Sequence, residues 1–133
     1  MKKILLTLIA CLLLAYVYSQ NKVIPNPASL YTKFLGYKTE MKIDSNGNQV
    51  KVCIFPNNTE CDEWAFFRGK CGAEFSYCAL KGCVSETDST DTAQFGVCAC
   101  TDSLGKKIKI SLLDFMMQHG DTLYRESRID GMR

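Results

Sequence analysis

The chain has 133 residues, 47% of them hydrophobic and 23% charged, with a formal net charge of +2. That size suits one small domain or two very small ones, and that composition excludes a disordered chain. The basic excess lies in Lys2 and Lys3. Without them 14 basic residues face 14 acidic ones, so nothing suggests an electrostatic grip on nucleic acid or anionic lipid.

Residues 1–19 read as a signal peptide: a basic start, an apolar run from Ile4 to Val17, and small residues suited to cleavage before Gln20. An uncleaved anchor competes, but the run is short for a membrane span. So does a lipoprotein site at Cys11, but the apolar run continues past it. The chain is therefore expected to be secreted or extracellular. Seven of its eight cysteines follow the leader, which reads as a disulfide framework with one thiol left over.

Asn26-Pro27 opens a helix that Gly36 stops. Tyr37–Ile43 and Gln49–Phe55 alternate as strands around Asn46-Gly47, a strong hairpin signal. Pro56-Asn57-Asn58 turns the chain. Thr59 and Asp62 fit a capping box for a helix ended by Gly69, with Trp64, Phe67 and Cys71 inward. On that helix Phe66 is left as the exposed aromatic, able to contact a partner.

The second half repeats the order. Tyr31, Gly36 and Glu40 correspond to Tyr77, Gly82 and Glu86 at an offset of 46, and Val52-Cys53 to Val97-Cys98 at 45. This reads as a degenerate duplication. It predicts a helix over 73–81, strands near 83–87, 94–100 and up to Ile110, a polar loop 85–92, and a helix from Ser111 to His119. Residues 121–133 read as a loose tail. The expected class is α+β, two helix–β-hairpin–helix units packed together, their sheets able to join.

The residues Asn26-Pro27-Ala28-Ser29-Leu30-Tyr31 and the run Val52–Cys71 resemble the family catalogued as a domain of unknown function, number 333, whose members often carry a hemolysin label. The resemblance covers roughly residues 24–72, which would form one module (20–72), with 73–120 a degenerate second copy or an extension. It implies a small secreted or envelope protein and no catalytic residues. The family usually has Cys where this chain has Thr32, which puts in doubt the bridge tying the first helix to the rest.

Among the many arrangements seven cysteines allow, the favoured one is Cys53–Cys61, Cys78–Cys98 and Cys83–Cys100, with Cys71 as the free thiol. On a continuous helix Cys61 and Cys71 would sit about 15 Å apart, beyond the ~7 Å a disulfide spans.

Other candidates have bland readings. His119, the single histidine, sits at a helix C-terminus, where a cation is favourable without catalysis. Cys98-Ala99-Cys100 lacks the neighbours of a zinc site. Asp44, Asn46 and Asn48 belong to a hairpin, since the glycine is misplaced for a calcium loop. Glu86, Asp88 and Asp91 read as a solvated loop. Asn57-Asn58-Thr59 is a glycosylation acceptor at Asn57. The apolar run Leu112–Met117 reads as core, with a membrane-seeking helix as the alternative. No cofactor and no metal are implied. The expected function is a non-enzymatic, cysteine-rich, inhibitor-like interaction module for an extracellular protein. A membrane-active protein is the alternative.

Overall fold

The computed structural model describes residues 1–18 and 25–124. Helix α1 spans Lys2–Tyr18; no helix of the described residues is long and apolar enough to cross a membrane. Two units follow. The first is α2 (Pro27–Phe34), β1 (Lys38–Ile43), β2 (Gln49–Ile54), β3 (Glu60–Asp62) and α3 (Glu63–Phe67). After a 3-10 turn at Ala73–Phe75 come α4 (Tyr77–Leu80), β4 (Val84–Ser89), β5 (Gln94–Thr101), β6 (Lys107–Ser111) and α5 (Leu112–Gln118).

The fold is α+β, as expected, but each unit is a helix, a three-stranded antiparallel meander and a helix, and the two sheets stay separate. The hairpin reading missed β3. A three-residue strand carries too little alternation to register in sequence. Its presence moves the next helix. Asp62, not Thr59, caps α3, accepting from the Ala65 amide at 2.9 Å. Thr59 instead bonds Asn57 within the turn, at 2.6 Å between side chains. The expected 73–81 helix is likewise broken at Ser76, whose hydroxyl caps α4.

The late start of α3 changes which aromatic is inside. Phe66, expected to be exposed, is 1% exposed, while Trp64 and Phe67 are half-buried. Phe66 packs edge-on against Phe55 at 4.9 Å and tilted against Tyr31 at 5.2 Å, and Phe55 stacks on Phe75 at 4.5 Å. A one-turn helix buries whatever its entry strand points inward, so the 3.6-residue phase counted from Thr59 was the wrong guide.

The same change overturns part of the disulfide expectation. Cys61 lies on β3, not on a helix, and the chain doubles back so that its Cα is 6.2 Å from that of Cys71; these two are joined. Cys71 is therefore not the free thiol. Among the seven cysteines after the leader Cys53 is, fully buried, opposite Cys61 in the β2–β3 register but not bonded to it. Cys78–Cys98 joins α4 to β5, and Cys83–Cys100 closes the same unit.

The units pack through one aromatic and cysteine core. Tyr31 of α2 accepts the Tyr77 amide at 2.9 Å, and Thr87 donates to the Arg68 carbonyl at 2.7 Å. Close backbone approach requires Gly96, where a Cβ would stand 2.6 Å from the Phe67 carbonyl oxygen. Asp121 and Leu123, expected in a loose tail, are held: Asp121 accepts from the Tyr77 hydroxyl, and Leu123 is buried. Residues 125–133 of that tail, and most of the 20–25 leader, lie outside the described residues. Helix α5 turns Leu112, Phe115 and Met116 into the core.

Candidate functional site

One place in the first unit combines a concavity with a buried charge. Three short-range rules assemble it. Asn26 caps α2, its Oδ1 accepting the amides of Ala28 and Ser29. That leaves its Nδ2 free to donate, at 3.3 Å, to Glu63 Oε1. Ser29, on the first turn of α2, donates to the same oxygen at 2.6 Å. Lys51 on β2 brings its ammonium to 3.2 Å from the Ser29 hydroxyl and 3.8 Å from Glu63 Oε2.

Glu63, the first residue of α3, is 2% exposed, and its Oε2 has no hydrogen-bond partner. A buried carboxylate oxygen without a donor is costly, typically about 1–3 kcal/mol or more. Lys51 compensates it only loosely: 3.8 Å is beyond hydrogen-bond reach, and its side chain is 38% exposed. A cleft of about 350 Å³ opens over these groups, walled also by Met41, Val50, Asp62 and Trp64. Arg68 covers the Trp64 ring at 5.1 Å.

The constellation ties α2, β2 and α3 into one frame. A serine–lysine contact can make a nucleophile and base. Here the serine proton is committed to Glu63, and the lysine nitrogen lies 3.8 Å from the same carboxylate.

Sequence-singled residues fall elsewhere. Asn57 sits in the exposed β2–β3 turn. His119 ends α5 with Nδ1 2.8 Å from the Phe115 carbonyl, its ring tilted against the Phe115 ring at 4.4 Å. The described residues contain no group of three metal-ligating side chains. Ser29, Lys51 and Glu63 were missed, because they lie 12 to 37 residues from their partners and no local spacing relates them. The one legible hint was an acid pair, Asp62-Glu63, at a helix start.

Residues 23–70 match the family described as a domain of unknown function (DUF333). They belong to it. The DUF333 match thus contains the whole first unit and every polar residue lining the cleft, and stops one residue before Cys71. An uncharacterized protein of Archaeoglobus fulgidus is 28% identical over 114 residues, 85% of this chain and 51% of its own length. That likeness extends well beyond the DUF333 segment, and the chain spans about half the length of this relative. No solved structure matches the chain.

Proposed function

We propose that the protein works outside the cytoplasm, after loss of residues 1–19, as a non-enzymatic interaction module that holds an extracellular protein partner at the Glu63 cleft. The carrying observation is the buried carboxylate with one unpartnered oxygen in the wall of an open cleft. Buried polar groups normally find partners within the fold, and one that does not is a place for a ligand. The three disulfides support an oxidising compartment. They also stiffen the frame on which the cleft stands, as small inhibitors require.

A photo-cross-linking residue placed at Met41, on the cleft rim, should capture one defined partner in the producing cells' medium or envelope. The same probe at Leu104, an exposed turn in the second unit, should not. Equal capture at both sites, or none at Met41, defeats the proposal.

The membrane-active reading rests on α5. That helix spends Leu112, Phe115 and Met116 on the core and leaves Leu113 and Met117 exposed, a narrow apolar face for lipid. Purified protein is expected to cause no dye leakage from liposomes at micromolar concentration. Dose-dependent leakage would favour the membrane reading instead.

A further inference from the structure

The chemistry left unused in the cleft is selective. Asn26 Nδ2 and the Ser29 hydroxyl proton are already given to Glu63 Oε1. Asp62 uses one oxygen to cap α3. At Glu63 Oε2 the unmet need is for a donor, so a ligand that engages this atom must donate. Asp62 and Glu63 outweigh Lys51 by one negative charge, which favours a cationic donor over a neutral hydroxyl. A guanidinium would seek both oxygens of a carboxylate in its fork, and Oε1 is occupied by two donors. A single free oxygen suits the point charge of an ammonium. Met41, Val50 and Trp64 give the cleft an apolar wall that an alkyl stem can cover.

Lys51 already shows the mode. It extends an alkyl chain past Ser29 and stops 3.8 Å short of Oε2. Being more than a third exposed, its ion pair is worth little, and moving it aside costs little. We propose that the cleft takes a primary alkylammonium group at Glu63 Oε2, and that Lys51 is the internal competitor which that group displaces. The source is either a lysine side chain of a partner protein or a free alkylamine. The inference rests on the interaction-module reading and specifies its chemistry.

Trp64 is the chain's single tryptophan, so its fluorescence reports on this cleft. The purified protein is titrated with butylamine, with butanol, with a terminally blocked lysine peptide, and with the same peptide Nε-acetylated. Butylamine or the lysine peptide should shift the emission saturably, while butanol and the acetylated peptide should not. Tighter binding of the peptide than of butylamine identifies a protein source, and the reverse a free amine; both support the site. Glu63→Gln should abolish the response. Lys51→Met, which removes the competitor, should tighten binding about fivefold, the usual worth of a part-exposed ion pair.

The opposite sign for Lys51→Met, or equal responses to butanol and butylamine, overturns the proposal even if Glu63→Gln fails to fold. Capture of a partner at Met41 without any response to amines would overturn the ammonium chemistry and leave the interaction module standing.

Discussion

The two units solve the same problem, fastening a helix to the middle strand of its meander, with different chemistry. In the second unit the fastening is covalent: Cys78 on α4 is bonded to Cys98 on β5. In the first unit the corresponding places hold Thr32 and Cys53, both fully buried, with the Thr32 hydroxyl donating to the Ala28 carbonyl at 3.0 Å and the Cys53 thiol to the Cys61 carbonyl at 3.4 Å. No bond joins them, and α2 is held instead by Asn26, Ser29 and Lys51 converging on Glu63. The two units share their element order and sheet order. The polar contacts of the first unit stand beside an open cleft.

Breaking the covalent fastening should have the largest effect. The double variant Cys78→Ala, Cys98→Ala is expected to lose about 2–5 kcal/mol of stability in chemical denaturation. A loss no larger than that of a surface substitution would show that the bridge is incidental to the second unit. The converse is to install the same bridge in the first unit. Thr32→Cys should pair with Cys53, remove the Cys53 thiol from a thiol titration, and add about 2–4 kcal/mol, since the loop closed is similar in length to that of Cys78–Cys98. Persistence of that thiol would mean that the two positions are not equivalent.

Removing the polar fastening comes next. Glu63→Ala should cost about 2 kcal/mol by leaving Ser29, Asn26 and Lys51 without their common acceptor. In the Thr32→Cys background the cost should shrink, because the new bridge then holds α2. Equal costs in both backgrounds would separate the two devices.

The buried thiol gives the first unit an alkaline weakness. Burial pushes Cys53 up to about 11, against an ordinary thiol value near 9. The unfolded chain therefore releases this proton first as pH rises. The stabilisation is complete below pH 9 and is lost as pH climbs toward 11. Melting temperature should fall through that window, and Cys53→Ala should flatten the fall; the residual slope belongs to Tyr31, Tyr37 and Tyr77, whose phenols burial also raises. The smallest effect is expected at the rim, where Lys42 pairs with Glu60 with both side chains about 40% exposed. Lys42→Ala should change stability by no more than a few tenths of a kcal/mol.

By itself the sequence determined the class and the punctuation of the fold. Asn26-Pro27 and Gly36 bound α2, Asn46-Gly47 sets the first hairpin, and Ser111 and His119 flank α5, because caps and turns depend on neighbours within a few residues. It also determined the family segment and the two bridges of the second unit. Only the tertiary structure decided what depends on distant neighbours. β3 exists because β2 is there to pair with it, and its pairing delays α3, buries Phe66 and brings Cys61 to Cys71 instead of Cys53. The cleft was likewise decided by folding. Ser29, Lys51 and Glu63 are ordinary polar residues in sequence, and only the packing of α2 across β2 and α3 turns one of their carboxylate oxygens into a buried acceptor without a donor.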